Sequence, residues 1–136
     1  MDILETISKT RKENLDFSGN PEEAVFIFEG ALGETLAKQR NIAGNAAKIL
    51  AAFSSKPVQS NFYEVFEQEK MSNLIPRLSV KTAFLCVPHK QARYMSEQLI
   101  NSGIKRIVNW SGETLSSSAS AVILNEEPPC VYNSQN

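Results

Sequence analysis

Histidine and cysteine are scarce in this sequence. It has one histidine, His89, and two cysteines, Cys86 and Cys130, and it contains no C-x-x-C pair. A structural zinc site usually needs four such ligands, so we expect no metal site. Two cysteines far apart in the chain, one of them inside an apolar run, indicate reduced thiols of a cytoplasmic protein rather than a disulfide framework.

The sequence also lacks an excess of either charge and any long apolar run. Its 14 basic and 15 acidic residues give a formal net charge of −1, so no bulk attraction draws it to nucleic acid or to an anionic membrane. No apolar run reaches the roughly 18 residues that a membrane span needs. Segment 1–17 is too charged for a signal peptide. We expect a cytoplasmic protein that binds neither DNA nor membranes directly.

Short apolar runs alternate with helical patterns along the chain. Continuous apolar runs at 24–28, 48–53, 82–87, 106–110 and 120–125 are typical of strands buried on both faces of a sheet. The segment 61–66 predicts a further strand at a sheet edge. Leu32 and Leu36 are spaced to share a helix face, Pro76 is expected to end a later helix, and Gly103 to cap another. This alternation predicts one α/β domain, with a mostly parallel sheet and helices on both faces.

The loop after the first run is similar to a dinucleotide-binding turn. In FIFEGALGETLAK, Gly30 and Gly33 occupy the second and third glycine positions of such a turn, and Phe28 occupies the first. The second glycine lets the backbone approach a pyrophosphate, and the third lets the helix pack closely on the strand. Glu29 adds a negative charge that opposes anion binding. A strand-to-helix turn without a ligand is the alternative, because one degraded motif is a weak signal.

The second predicted strand ends without the usual ribose-binding acid. Dinucleotide folds place Asp or Glu about 20 residues after the glycines, where it binds the ribose hydroxyls. Ser54 stands at that distance from Gly33, and Lys56 follows it. Serine and lysine would accept a 2′-phosphate, which favours NADP(H) or coenzyme A. An ordinary polar turn before Pro57 is the alternative.

Residues 80–115 resemble the nucleotide domain of the Rex family, which are NADH-sensing bacterial transcriptional repressors. The matching features are a buried strand that ends in Val87 and Pro88, a helix, the run GIKRIVN and then Trp110. The turn GALG and the run ILAAF extend the resemblance more loosely over 22–125. It implies a Rossmann fold of the CoA-binding type.

The resemblance also implies a ligand that lies across the carboxyl ends of the strands. The glycine turn would face the pyrophosphate, the end of the second strand the adenosine, and the segments after the fourth and fifth strands the nicotinamide side. The implied cofactor-binding residues are Gly30, Ala31, Leu32, Gly33, Phe53, Ser54, Lys56, Val87, Pro88, His89, Asn109 and Ser111.

No catalytic residue is predicted, and we expect the protein not to be an enzyme. His89 is placed where ligands bind, but the sequence names no acid or base partner for it. An ordinary polar residue at a helix start is the alternative interpretation. Cys86 is interpreted as a small core residue and Trp110 as a core aromatic.

Two departures from the Rex pattern limit what the resemblance implies. Family members begin with a winged-helix DNA-binding domain and end with a helix that swaps between protomers. Neither pattern is present here, so no direct DNA binding is implied. We predict an N-terminal helix and linker over 1–21, a Rossmann-like domain over 22–126 and a loose tail over 127–136.

The predicted function is that of a Rex-like, redox-sensing regulatory domain. It would bind NAD(H) or NADP(H), less readily coenzyme A, and would self-associate as a homodimer or a larger assembly. Two alternatives stay open. One is a degenerate Rossmann module that binds a protein partner and no nucleotide, and the other is a CoA-binding module.

Overall fold

Strands and helices alternate along residues 22–129, the part of the chain that the computed structural model describes. The strands are β1 (Glu22–Phe28), β2 (Ala47–Ser54), β3 (Glu64–Glu67), β4 (Thr82–Cys86), β5 (Arg106–Asn109) and β6 (Val122–Asn125). The α-helices are α1 (Gly30–Ala37), α2 (Met71–Leu78) and α3 (His89–Asn101), with a 3-10 turn at Gln68–Lys70. The N-terminal helix predicted over 1–21, Cys130 and the rest of the predicted tail lie outside the described residues.

The six strands form one sheet in the order β3-β2-β1-β4-β5-β6. Every neighbouring pair is parallel. This is the strand order of the doubly wound dinucleotide-binding fold. The chain moves outward from β1 to β3 and then crosses back to β4, so the order reverses between β1 and β4. The predicted α/β class, the parallel sheet and the edge position of β3 are confirmed.

The central strands are apolar along their whole length because both faces of the sheet are covered near them. Val25 to Phe28 in β1 are fully buried, and every residue of β4 is buried. Helices α2 and α3 cover one face, where their side chains pack on β1 and β4 in a single apolar cluster. Helix α1 packs on the other face, against a second cluster that contains Phe26, Phe28 and Leu36.

Helix α2 does not end at Pro76, as the sequence predicted, but at Leu78. Proline removes one backbone hydrogen bond from a helix interior, yet the last turn is kept because Leu78 is buried in the core with Leu74 and Ile75. The helix ends where Ser79 adopts a left-handed conformation with φ of +58°. Tertiary packing therefore outweighs the local signal of the proline.

Two other features differ from simple sequence patterns. Leu36 is fully buried, whereas Leu32, which was expected on the same helix face, is 41% exposed. The connection between β5 and β6 contains no helix. A groove of about 410 Å³ lies over β4, β5 and β6, lined by Phe84, Val108 and Trp110 together with residues of the loop 42–47 and of the segment 126–129.

No helix within residues 22–129 combines the length and the apolar character that a bilayer crossing requires.

Candidate functional site

Four segments named in the sequence analysis meet at the carboxyl edge of the sheet. They follow β1, β2, β4 and β5, and parallel strands all end at the same edge. The turn after β1 is tied directly to the end of β4, because the Glu29 N–H donates to the Cys86 carbonyl at 3.1 Å. This is the point at which the strand order reverses, where ligands of open α/β sheets bind.

Gly30 holds a backbone conformation that other residues rarely adopt. Its φ is +87°, in the left-handed region that costs a residue with a Cβ atom. A Cβ atom at this position would face the Cγ atom of Pro88 at 3.9 Å. The glycine therefore makes the turn, and it brings the backbone of the turn beside the segment that follows β4.

Gly33 allows helix α1 to lie directly on the sheet. A Cβ atom at Gly33 would lie 2.7 Å from the Cβ atom of Phe28 and 3.1 Å from the Cys86 carbonyl oxygen. The first contact is shorter than any that real Cβ atoms make and the second is tight, so only glycine fits without movement of β1 or β4. This is the close helix–strand packing that the third glycine of a dinucleotide turn provides.

Phe28 stands at the first glycine position without blocking the turn. Strand β1 continues through Phe28, and its fully buried ring stacks on Phe26 with centroids 5.3 Å apart. The turn begins one residue later, at Glu29, whose backbone is extended with φ of −147° and ψ of 146°. The aromatic side chain thus lies in the core under α1 and not in the mouth of the turn.

Two helix N-termini point to this edge. The first turn of an α-helix has N–H groups without intrahelical partners, and its dipole favours negative charge there. Neither α1 nor α3 has a side-chain cap. Gly30 and Ala31 in α1 and His89 in α3 are exposed. The arrangement suits an anionic group such as a pyrophosphate.

Glu29 reaches from the turn to the end of β2. Its Oε2 atom accepts a hydrogen bond from the Ser55 N–H at 2.6 Å, and its Oε1 atom accepts one from the Ser55 hydroxyl at 2.6 Å. The Ser54 hydroxyl lies 3.5 Å from Oε1. A carboxylate therefore does stand at the end of β2, where the sequence analysis expected none. Ser55 was not singled out from the sequence.

The structure buries five of the residues expected to bind the cofactor: Gly33, Phe53, Ser54, Val87 and Asn109. Phe53 is fully buried and packs on Phe66, with ring centroids 5.8 Å apart. Val87 is also part of the core cluster, and Asn109 is only 1% exposed. Because Phe53 has no exposed surface, we leave it out of the proposed site. Ser54 is 2% exposed, whereas Lys56, Pro88 and His89 are exposed.

Asn109 holds the loop that follows β5. Its amide nitrogen donates to the Glu113 carbonyl at 2.6 Å and to the Asn125 side-chain oxygen at 2.8 Å. Its own side-chain oxygen accepts from the Ser111 N–H at 3.1 Å. The Ser111 hydroxyl in turn accepts from the Glu113 N–H. Asn109 and Ser111 thus hold the loop that follows β5 through hydrogen bonds inside that loop.

Cys86 is a core residue, as its place in an apolar run indicated. It lies at the end of β4 and is 4% exposed. Burial raises the pKa of its thiol to about 11. The thiol therefore stays protonated near neutral pH, which disfavours thiolate chemistry at this position. The residues that the structure describes contain no group of three or more His, Cys, Asp or Glu placed to hold a metal ion.

The groove over β4, β5 and β6 is a different place on the molecule. Glu22, Thr82 and Arg106 line it, and these residues begin β1, β4 and β5. Trp110 and Glu126, which follow β5 and β6, line it as well, so the groove runs along these strands. Its size does not make it the nucleotide site, since neither the glycine turn nor the first turns of α1 and α3 line it.

Comparison with known proteins points to one family. No protein-family model matches the chain. Over 91 residues, 64% of the chain, it is 28% identical to the redox-sensing transcriptional repressor Rex of Caldanaerobacter subterraneus subsp. tengcongensis. Over 92 residues it is 28% identical to Rex of Clostridium botulinum (strain Eklund 17B). These matches cover 41% and 44% of the relatives, so the chain spans less than half of their length.

Solved structures give the same result for the fold. The crystal structure of RSP, a Rex-family repressor, matches 88% of this chain with a TM-score of 0.68 at 19% identity, and the match covers 69% of RSP. RSP in complex with β-NADH matches with the same TM-score at 22% identity, over 88% of this chain and 58% of that one. RSP with β-NAD⁺ and operator DNA matches with a TM-score of 0.66, over 85% and 54%.

The two sequence relatives named above are both called Rex, and RSP, whose structures match the fold, is a Rex-family repressor. The strand order and the glycine turn are those of the dinucleotide-binding fold. Residues 22–129 of this chain form a Rex-like Rossmann domain.

Proposed function

We propose that this chain is a nucleotide-binding, redox-sensing regulatory domain of the Rex type, which binds NAD(H) at the carboxyl edge of its sheet. The observation that carries the proposal is the turn between β1 and α1. Gly30 turns the backbone at φ of +87°, and the position of Gly33 cannot accept a Cβ atom. These are two of the three tasks that glycines perform in a dinucleotide turn. Phe28, at the first glycine position, is buried in β1 and does not obstruct the turn.

In the proposed complex, the pyrophosphate lies at the first turn of α1. The exposed backbone of Gly30, Ala31 and Leu32 offers N–H groups, and Gly33 keeps the helix close to the sheet. The adenosine lies on the side of β2, near Ser54 and Lys56. The nicotinamide lies on the other side, near Val87, Pro88, His89, Asn109 and Ser111. When bound, the nicotinamide would report the redox state through its reduced or oxidised form.

A regulatory role suits this site better than an enzymatic one. The carboxylate of Glu29 is already bound by Ser55, and His89 is exposed at the start of α3. The relatives are repressors by name, and the predicted cytoplasmic location fits such a role.

The proposed partners are the dinucleotide and a second copy of the chain. The proposal that the chain self-associates is carried over from its resemblance to Rex. RSP has been crystallised with operator DNA, but all strands and helices of residues 22–129 belong to the Rossmann domain. We therefore propose no direct DNA contact for the described residues.

The second candidate is a Rossmann module that binds a protein partner and no nucleotide. Its support is Glu29, which brings a negative charge into the turn. The N-terminus of α1 carries a partial positive charge, so a negative side chain beside it is favourable. The same side chain repels a pyrophosphate that binds there.

Calorimetric titration of the full chain with NADH, NAD⁺ and coenzyme A separates the two candidates. Ala31→Glu is the matched blocked variant, because it adds a carboxylate to the exposed first turn of α1, where a carboxylate also favours the helix. Ala31→Gln is the neutral control. We expect NADH to bind the wild type and Ala31→Gln but not Ala31→Glu. Absence of binding to the wild type at millimolar NADH would favour the protein-binding module.

A further inference from the structure

The end of β2 presents several hydrogen-bond donors that face the glycine turn. The Ser55 N–H and the Ser55 hydroxyl both donate to the Glu29 carboxylate at 2.6 Å. The Ser54 hydroxyl lies 3.5 Å from the same carboxylate, and the exposed Lys56 follows in the chain. Backbone N–H groups, hydroxyls and a lysine together form a typical phosphate-binding set.

The Glu29 carboxylate therefore occupies the place that a phosphate would take. In dinucleotide folds the adenosine ribose lies at the end of the second strand, and an acid there binds its hydroxyls. The sequence alone, with Ser54 and Lys56 in this region, indicated room for a 2′-phosphate. In the structure both Ser55 donors are already used by a carboxylate of the protein itself.

The position of this carboxylate is set by the backbone. The Glu29 N–H is bound to the Cys86 carbonyl, and its extended φ and ψ direct the side chain away from α1, which it does not cap. Gly33 fixes the helix that follows against Phe28. The side chain thus points across to β2 because the turn is anchored on both sides.

We propose that Glu29 is the specificity-determining residue of the nucleotide site and that it selects an adenosine ribose without a phosphate. The proposal rests on the function proposed above. Strand β2 lacks the usual carboxylate at its end, and Glu29 supplies one from the turn between β1 and α1. This carboxylate accepts a hydrogen bond from a free ribose hydroxyl. It excludes ligands whose ribose carries a phosphate, which are NADP(H) and coenzyme A.

The carboxylate has the capacity for this role. An ionised carboxyl group offers about four acceptor positions, and the Ser55 N–H, the Ser55 hydroxyl and the more distant Ser54 hydroxyl use at most three. Glu29 is half-buried and Ser55 is exposed, so one side of the group is open to a ligand. A ribose phosphate would meet a negative charge and would find its donors already bound.

The test compares the dissociation constants of NADH and NADPH for the full-length wild type, Glu29→Gln and Glu29→Ala, measured by calorimetric titration. Glu34→Gln is the matched control, because Glu34 is a glutamate within α1, beyond the turn that carries Glu29. We expect the wild type and Glu34→Gln to bind NADH at least about tenfold more tightly than NADPH, a difference of about 1.4 kcal/mol. In both Glu29 variants, that ratio should fall to about one or reverse in favour of NADPH.

The outcomes separate this proposal from the one on which it rests. If the wild type binds NADH and the NADH-to-NADPH ratio is the same in Glu29→Ala, Glu29 does not select the ligand, and the nucleotide-binding function stands. If the wild type binds neither nucleotide, the proposed function fails. If Glu29→Ala alone then binds NADH, Glu29 closes the site instead of selecting its ligand, and the proposal of selection is overturned.

Discussion

Gly33 and Phe28 meet so closely that the Cβ atom which Gly33 lacks would lie 2.7 Å from the Cβ atom of Phe28. This contact joins the helix that follows the glycine turn to the strand that precedes it. The neighbouring Cys86 carbonyl, at 3.1 Å from the same point, belongs to β4. Because Gly33 has no side chain, α1 packs directly against both strands of the switch point, where the proposed pyrophosphate site lies.

Gly33→Ala should therefore destabilise the fold. The added methyl group must displace the backbone of β1 or β4, and overpacking of this kind costs about 1–3 kcal/mol. Urea unfolding followed by circular dichroism measures the loss, with Glu34→Ala in the same helix as the control. A Gly33→Ala variant as stable as the wild type would show that α1 does not rest on Phe28 as described.

Asn109→Asp should cost about 2–4 kcal/mol of unfolding free energy, because it buries a charge and removes two donated hydrogen bonds. The Asn109 amide donates to the Glu113 carbonyl and to Asn125, and a carboxylate would face both acceptors without a proton to share. Asn73→Asp, at an exposed position in the first turn of α2, is the control. Equal stability of the two variants would mean that the loop after β5 does not depend on Asn109.

The parts of the fold that the sequence predicted correctly have one physical cause. Strands buried on both faces must be apolar at every position, so β1 and β4 were visible as continuous runs. Alternation with helical spacing then predicted parallel pairing. The end of α2 was missed because Leu78 holds the last turn through core packing, which a local proline signal does not include.

The site was harder to predict, since it depends on which residues of distant segments face one another. Glu29 and Ser55 are 26 positions apart, and only the register of β1 on β2 brings them together. The glycine pattern assigned Phe28 to the turn, whereas the apolar run 24–28 assigned it to the strand. The structure places Phe28 in the strand, and that makes the missing first glycine harmless.

Trp110→Ala should cost about 3 kcal/mol, the lower end of the range for removal of a large aromatic side chain. The ring is 5% exposed and packs on Phe84 and Phe26 with centroids 5.1 and 6.4 Å away. The cost stays at the lower end because one side of the ring lines the open groove. Glu126→Gln keeps an acceptor for the indole N–H, which lies 3.3 Å away, and should change stability little.

Urea unfolding measured by circular dichroism suits this comparison, because Trp110 is the only tryptophan in the sequence and its fluorescence is lost in the variant. A loss below about 1 kcal/mol, the size of an ordinary point mutation, would contradict the tight packing of this ring.

The stability of the protein should fall as the pH rises above about 9. Burial raises the pKa of the Cys86 thiol from 9.0 to about 11, so between these values the unfolded chain loses a proton that the folded chain keeps. The stabilisation from this group is complete below pH 9 and is lost as the pH rises toward 11. Burial also raises the pKa of Tyr63, which continues the decline above pH 10.

Cys86→Ala tests the contribution of the thiol. Unfolding free energies of the wild type and the variant, measured in urea from pH 7 to pH 10.5, should converge as the pH rises, because only the wild type loses the thiol contribution. Cys130→Ser serves as the control for the other cysteine of the sequence. Parallel curves for the wild type and Cys86→Ala would mean that water reaches the Cys86 thiol at the end of β4, beside the turn that carries Glu29.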